Sequence, residues 1–101
     1  MDNNEKGLSA EASETTRITW EDGTFENFEK ILREIPHMIR GIAEVRVTKK
    51  AQSLVAGAGR HVIEKKDMVD AFFIETPGGF LPPMMATMDE LGIDYKKYGH
   101  K

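Results

Sequence analysis

The sequence predicts an all-α fold, with a core of three helices around one long central helix and a short fourth helix at the C-terminus. The central helix is indicated by about twenty residues without a proline between Pro36 and Gly57. The segments on either side repeat apolar residues at spacings of three and four, which is typical of amphipathic helices. Together these patterns predict three helices that bury their apolar faces against one another.

The central helix is predicted from its two ends and from its apolar pattern. Pro36 lacks the N–H that a first turn leaves unpaired, and Gly57 and Gly59 suit the left-handed residue that commonly ends a helix. An apolar stripe follows the helical period: Ile39, Ala43, Val47, Ala51, Leu54, Val55 and Ala58. Further apolar residues fall on the other side: Met38, Ile42 and Val45. We therefore expect the first half of this helix to be buried all round.

A first helix is predicted to begin at Thr19, because threonine is a favoured N-cap residue. Glu21 and Asp22 then lie in the first turn, where the helix dipole favours acidic side chains. The apolar face of this helix follows at helical spacing: Phe25, Phe28, Ile31, Leu32 and Ile35. The step from Ile35 to Pro36 predicts a sharp corner at its end, since a residue before proline avoids the helical region.

Two shorter helices are predicted after the central one. Val62 and Ile63 are β-branched and favour a short extended connector with apolar side chains turned inward. Helical periodicity resumes over residues 65–73, and apolar spacing predicts a fourth helix over residues 84–91. Residues 95–101 are expected to form a loose tail.

Composition divides the chain into three segments. Residues 1–16 are predicted to form a disordered N-terminal tail, because so polar a segment buries too little apolar surface to offset its ordering entropy. Residues 17–76 are predicted to form the three-helix domain. Residues 77–101 are predicted to form a Pro/Met-rich C-terminal segment that contains the short helix and the loose tail.

Length and composition exclude several classes of protein. With 101 residues, the chain allows one small domain. It contains no cysteine, which excludes disulfides, thiolate metal sites and cysteine nucleophiles. No apolar run approaches the roughly 20 residues of a membrane span, and the N-terminus lacks the apolar core of a signal peptide. We therefore expect a cytoplasmic protein with no membrane association.

The histidines offer no recognisable catalytic or metal-binding pattern. His37 and His61 are separated by the whole central helix, and His100 lies near the C-terminus. None belongs to a recognised metal-ligand spacing, and the chain has neither a nucleophile elbow nor a nucleotide-binding glycine loop. We predict no catalytic residue, no metal ion and no cofactor, and a protein that is not an enzyme.

The net charge of −3 hides an uneven distribution. Residues 1–35 carry nine acids and four bases, residues 36–66 two acids and seven bases, and residues 67–101 six acids and three bases. A basic middle between acidic ends is typical of either an anion-binding face or charge complementarity between packed segments. The negative net charge of the whole chain favours charge complementarity between packed segments, because nucleic-acid-binding domains are usually basic overall.

Basic residues of the central helix are the first candidates for binding. Arg46, Lys49 and Lys50 share one face within a turn, which suits phosphate or carboxylate groups but is also common on solvated surfaces. Arg40 lies near the apolar stripe. It either pairs with an acid of the first helix, such as Glu34, or binds a ligand carboxylate.

Two apolar clusters are further candidates. Met84, Met85 and Met88 form an adaptable apolar surface that docks either on the protein's own helices or on a partner protein. The aromatic residues of the first helix are needed for the core of so small a chain. A platform for a pigment or a nucleic-acid base is the alternative for these rings.

One run of residues matches the pattern of a known domain. It consists of Ile35-Pro36-x-x-Ile39-Arg40-x-x-Ala43, then Val47, Ala51, Gly59, Val62-Ile63 and Asp67-Met68. A tryptophan before the first helix, here Trp20, fits the same pattern. Over residues 18–73 the chain thereby resembles the small helical domain that closes the C-terminus of the B subunit of light-independent protochlorophyllide reductase.

The resemblance implies an accessory domain rather than an enzyme. In the reductase this domain is an appendage near the pigment pocket and the subunit contacts, whereas the reaction needs an iron–sulfur cluster and a large catalytic body. A chain without cysteine cannot hold such a cluster by thiolates. What the resemblance implies is therefore a free-standing relative of the accessory domain.

We predict a non-enzymatic binding module that acts by contact with a protein partner or a small anionic ligand. The residues predicted to make the contact are Arg40, Arg46, Lys49, Lys50, Met84, Met85 and Met88. The alternative is a dimeric nucleic-acid-binding protein similar to the histone fold, because a helix, a long helix, a short strand and a helix follow in that order. The basic residues of segment 36–66 support this alternative, whereas the negative net charge of the whole chain opposes it. The sequence leaves the oligomeric state open, a homodimer included.

Overall fold

Across residues 17–101, the part of the chain that the computed structural model describes, an all-α fold is confirmed. The elements follow in this order: strand β1 (Thr19–Trp20), helix α1 (Thr24–Arg33), helix α2 (His37–Gly57), strand β2 (Val62–Ile63), helix α3 (Lys65–Glu75), a 3-10 helix (Gly78–Phe80), helix α4 (Leu81–Glu90) and a second 3-10 helix (Tyr95–Tyr98). The predicted disordered tail, residues 1–16, lies outside the described residues.

Helix α2 is the long central helix that the sequence predicts. It starts directly after Pro36, and its 21 residues extend over about 31 Å. It ends where Gly59 adopts a left-handed φ of 71° and the N–H of Arg60 donates to the carbonyl of Val55. The most extensive contact between elements joins α2 to α3, so this pair of helices forms the centre of the fold.

The core lies on one face of α2. Val47, Ala51 and Val55 are buried there, and α1 and α3 pack against this helix. The other buried apolar residues of the core are Phe28, Ile31, Leu32, Ile63, Met68, Val69, Ala71, Phe72, Met84, Met88, Ile93 and Tyr95. Because this set includes residues of α4 and of the C-terminal segment, that segment packs on the chain's own helices.

Helix α1 begins at Thr24, not at the predicted Thr19. Strand β1 occupies the predicted first turn and pairs in parallel with β2. The chain then turns at Gly23, which has a φ of 83°, and the hydroxyl of Thr24 donates to Oε1 of Glu21 at 2.8 Å. The prediction was wrong because strand pairing between distant segments overrides the local preference for a threonine cap.

The first half of α2 is not buried all round, contrary to the prediction. Met38, Ile42 and Val45 are 91%, 59% and 53% exposed, so the other elements of residues 17–101 leave more than half of each side chain uncovered. The sequence also predicted that both side chains of the connector turn inward. This is correct for Ile63, which is buried, and wrong for Val62, which is exposed. Apolar periodicity identifies residues that share a face, but only the packing shows whether another element reaches that face.

The predicted loose tail is instead packed against α3. The side chain of Tyr95 is buried at the start of the second 3-10 helix. The ring of His100 stacks on Phe73 with centroids 4.1 Å apart, and its Nε2 lies 2.7 Å from Oδ1 of Asp70. These contacts attach the end of the chain to the outer side of α3.

Candidate binding groove

An apolar groove lies between the N-terminal half of α2, the end of α3 and the beginning of α4. Its volume is about 290 Å³, near the lower end of the range for small-molecule pockets. The apolar residues that line it are Ile31, Ile35, Pro36, Ile39, Ile42, Ala43, Val47, Pro77, Phe80, Pro83 and Met84. Ile42 and Phe80 are exposed, so the groove is open to solvent along this edge.

Two turns of the chain bring these residues together. The Ile35-Pro36 step reverses the chain after α1, so that the end of α1 lies beside the first turns of α2. The 3-10 helix after α3 leads directly into α4, which begins at Leu81 rather than at the predicted residue 84. Pro83 therefore falls in the first turn of α4 and borders the groove without breaking a helical hydrogen bond.

Three charged residues accompany the apolar lining: Glu34 after α1, Arg46 on α2 and Glu75 at the end of α3. Thr76 adds a hydroxyl group, which lies 3.4 Å from Sδ of Met84 and donates to it. An apolar surface with a few charges beside it is typical of sites that bind amphipathic ligands or apolar protein segments.

An exposed ridge of apolar residues runs beside the groove. Met38, Ile42 and Val45 lie at successive positions of one helical face, three and four residues apart, and together form what we call the ridge. Ile42 belongs to both features, since it also lines the groove. The groove and the ridge thus make one continuous apolar surface on the N-terminal half of α2.

Arg40, a predicted binding residue, lies beside the end of α1 and donates to carbonyls there. Its Nη2 donates to the carbonyls of Ile35 at 3.0 Å and Arg33 at 3.1 Å, and its Nε donates to Ile35 at 3.2 Å. Within residues 17–101 it forms no ion pair with Glu34 or any other acid, because the unpaired carbonyls at the end of a helix are closer acceptors.

The basic cluster of α2 is only partly associated with the groove. Arg46 lines the groove, while Lys49 and Lys50 lie one turn further along the helix. Arg46 and Lys49 are exposed, and Lys50 is half-buried. None of the three forms an ion pair with an acid in the part of the chain that the structure describes.

The three predicted methionines belong mainly to the core. Met88 is fully buried, Met85 is half-buried, and Met84 is buried where α4 borders the groove. Of the seven predicted contact residues, the structure therefore brings Arg46 and Met84 together at the groove and places the other five elsewhere.

Sequence reasoning missed most of the groove. The sequence places Ile35 and Pro36 at a helix boundary, Ile39 in the apolar stripe and Phe80 in the Pro/Met-rich C-terminal segment. The available signal was Ile42, an apolar residue that lies off the core stripe of α2. An apolar residue outside the core face indicates either complete burial or an unoccupied contact surface, and only the structure distinguishes the two.

The ion pairs of the described residues lie outside the groove, and one of them joins the region after α2 to α3. Arg60 pairs with Asp67 at the start of α3. Burial by itself acts to raise the pKa of Asp67. Hydrogen bonds from Arg60 and from the backbone N–H of Glu64 outweigh this effect, so the pKa of Asp67 lies below its ordinary value.

The pKa of Tyr95 is raised, because its side chain is buried and its hydroxyl lies near the carboxylate of Asp89.

None of the helices formed by residues 17–101 is long and apolar enough to cross a membrane. Over the same residues, no three acidic or histidine side chains cluster closely enough to hold a metal ion. The strongest candidate for a functional site is the groove with the adjoining ridge, because together they expose a continuous apolar surface.

Comparison with known proteins adds no relative: no family model, no curated protein and no solved structure matches this chain.

Proposed function

We propose that the protein is a non-enzymatic binding module of the cytoplasm, and that its groove and ridge hold an apolar part of a protein partner or of a small anionic ligand. The observation that carries the proposal is the continuous apolar surface formed by the groove and the exposed ridge. Large contiguous apolar patches on small proteins commonly mark interaction sites, because water disfavours their exposure.

The ridge provides a driving force for binding. Met38, Ile42 and Val45 are all large and at least half exposed. Burying one such side chain completely stabilises a complex by about 1.5–3 kcal/mol relative to leaving it in water. A partner that covers the ridge and enters the groove buries the exposed part of each of these side chains, which folding of the described residues leaves in water.

Arg46 gives the proposed site a preference for anions. Its guanidinium is exposed beside the apolar lining and is not engaged by an acid of residues 17–101. A guanidinium binds carboxylate or phosphate groups through two parallel hydrogen bonds. A ligand with an apolar body and one anionic group therefore matches the surface chemistry.

The family resemblance supports the same location. Five residues that carry the resemblance also line the groove: Ile35, Pro36, Ile39, Ala43 and Val47. If the chain is a free-standing relative of the reductase accessory domain, the shared pattern concerns the surface proposed here for binding. The proposal therefore takes a planar anionic tetrapyrrole as the first small ligand to test.

A titration followed by amide chemical shifts tests this function. Two probes combine an apolar body with an anionic group: protoporphyrin IX and 8-anilinonaphthalene-1-sulfonate. We expect either probe to shift the resonances of Ile39, Ile42 and Phe80. Arg46→Gln is expected to weaken binding about tenfold, since a charge-assisted hydrogen bond contributes roughly 1.5–3 kcal/mol.

Lys30→Gln is the matched control, because it removes one exposed positive charge that lies on α1 outside the groove. It should leave the affinity for either probe within about twofold of the wild type, since an exposed distant charge is screened by salt. Equal weakening by both variants would indicate diffuse attraction instead of a site. If neither probe moves the groove resonances, the small-ligand form of the proposal is wrong.

Nucleic-acid binding by a histone-like protein is the second candidate. The exposed, unpaired positions of Arg46 and Lys49 among the described residues favour it. A DNA duplex titrated at several salt concentrations separates the two functions, because contacts to phosphate weaken steeply with added salt. Absence of DNA binding at low salt would exclude this candidate.

A further inference from the structure

We infer that Met38 is an oxidation site through which a peroxide switches off apolar contacts made at the ridge. The inference rests on the proposed function, since it assigns a control to part of the same surface. It follows from three features of the described residues: the exposure of Met38, the shielding of the other methionines, and the place of Met38 in the ridge.

Met38 is more exposed than any other methionine that the structure describes. It lies in the first turn of α2 and is 91% exposed. Side chains of a helix lean toward its N-terminus, so a residue is covered by those three and four positions after it. Gly41 stands three positions after Met38 and has no side chain to cover it. A dissolved oxidant therefore reaches the thioether of Met38 without any opening of the fold.

The other methionines of the described chain are shielded from solvent. Met68, Met84 and Met88 are buried, and Met85 is half-buried. The chain contains no cysteine, so no thiol competes for an oxidant. Because oxidation of sulfur follows exposure, a peroxide reacts first with Met38 within the part of the chain that the structure describes.

The reaction is a two-electron oxygen transfer from hydrogen peroxide. The sulfur lone pair attacks one oxygen, the O–O bond breaks, an S–O bond forms, and the second oxygen leaves as water with both protons. The thioether is oxidised to a sulfoxide and the peroxide is reduced to water. Sulfoxide reductases reverse the change with two thiols, which become a disulfide while the oxygen leaves as water. Met38 therefore has two stable states that interconvert.

Oxidation changes the chemistry of the ridge. Met38 begins the ridge and has a larger exposed fraction than Ile42 or Val45. A sulfoxide is polar and accepts hydrogen bonds from water, so covering it with an apolar surface is unfavourable. The groove keeps its lining, because Met38 is not part of it. Oxidation therefore weakens apolar contacts at the ridge and leaves the groove unchanged.

Peptide mapping after treatment of the folded chain with hydrogen peroxide tests the selectivity. Trypsin releases Met38 in the peptide 34–40, which holds no other methionine, whereas the peptide 67–96 holds the remaining four of the described chain. Mass spectrometry over time is expected to show the peptide 34–40 gaining oxygen at least about fivefold faster than the peptide 67–96. Equal rates for the two peptides would overturn the inference.

Elution of the folded chain from a butyl column tests the effect on the ridge, because butyl groups are an apolar probe of exposed surface. The oxidised chain is expected to elute earlier than the untreated chain. Met38→Leu keeps an apolar side chain without sulfur, so peroxide should leave its elution unchanged. Met38→Gln is expected to elute earlier without peroxide. Leu, Gln and Met have similar helix propensities, and circular dichroism verifies that the helices are retained.

Met85→Leu is the matched control, because it removes a half-buried methionine outside the ridge. Peroxide is expected to shift its elution as much as that of the wild type. Treatment of the oxidised wild type with both epimer-specific sulfoxide reductases and dithiothreitol is expected to restore the original elution. A shift that also occurs in Met38→Leu, or that the reductases do not reverse, would overturn the switch.

The remaining outcomes separate this inference from the proposed function. If protoporphyrin IX or 8-anilinonaphthalene-1-sulfonate shifts the groove resonances but peroxide leaves the elution unchanged, the switch is wrong and the binding function stands. If neither probe shifts those resonances but oxidation of Met38 reversibly changes the elution, the small-ligand form of the proposed function is wrong and the switch at the ridge stands.

Discussion

Arg60 and Asp67 form a bidentate ion pair that joins the end of α2 to the first turn of α3, with Nη2 2.7 Å from Oδ1 and Nη1 3.1 Å from Oδ2. Asp67 is 4% exposed and also accepts the backbone N–H of Glu64 at 2.8 Å. One carboxylate thus sets the start of α3 and its position relative to α2. The groove depends on that geometry, because the end of α3 forms one of its walls.

Asp67→Asn should destabilise the fold by about 2 kcal/mol, because it weakens charge-assisted hydrogen bonds in a buried position. Urea unfolding followed by circular dichroism measures the change. Lys66→Gln serves as the control, since Lys66 is 59% exposed and ion pairs of exposed side chains contribute about 0–1 kcal/mol. Equal losses in the two variants would contradict a special role for Asp67.

The stability of the wild type should fall in acid through Asp67. Its pKa in the folded state is held below the ordinary value, so the folded state favours the carboxylate. This contribution is fully present above the pKa of the unfolded chain, about 3.9, and is lost as the pH falls through the folded-state pKa. Unfolding of wild type and Asp67→Asn between pH 7 and pH 2 should show their free energies of unfolding converging below about pH 4. A difference that stays constant with pH would be inconsistent with this linkage.

His100→Ala should destabilise the fold by about 1 kcal/mol, although His100 is the penultimate residue. The variant loses the ring stacked on Phe73 and the contact with Asp70. Thermal unfolding by circular dichroism measures the effect. Lys101→Ala provides the comparison, because Lys101 is exposed, and it should be neutral. If His100→Ala is also neutral, the end of the chain contributes nothing to stability.

Two glycine substitutions in and after α2 should have opposite signs. Gly41→Ala should stabilise the fold by about 0.5–1 kcal/mol, since helix propensity rises and the added Cβ meets no neighbouring atom. Gly59→Ala should destabilise it by about 1–2 kcal/mol, because Gly59 has a φ of 71°. Urea unfolding followed by circular dichroism measures both changes. The same sign for both changes would contradict the assigned helix end.

The number and order of the helices followed from local patterns. Pro36 before α2 and the left-handed Gly59 after it act within one or two turns of chain, so their effect is visible in the sequence. The start of α1 was not visible, because β1 pairs with β2 from a distant part of the chain. Pairing between distant segments competes with a local capping preference. A short stretch of sequence cannot show such pairing, because the partner strand lies about forty residues away.

The candidate site was predicted only in small part. Arg46 was identified because it is basic and lies on the outer side of a helix, and the structure places it at the groove. Arg40 has the same chemistry, but it donates to carbonyls at the end of α1. The difference between them depends on which side chain reaches the carbonyls at the end of α1, and residue type carries no information about that reach.

By itself the sequence determined that the chain is all-α and that a long helix follows Pro36, because propensity, caps and apolar period act over a few residues. Tertiary structure alone decided which apolar side chains became core and which stayed exposed. Ile39 and Ile42 are alike in chemistry and three residues apart, yet one is half-buried and the other exposed. Burial depends on whether a second element reaches a given side of α2, and that is a property of the whole packed chain.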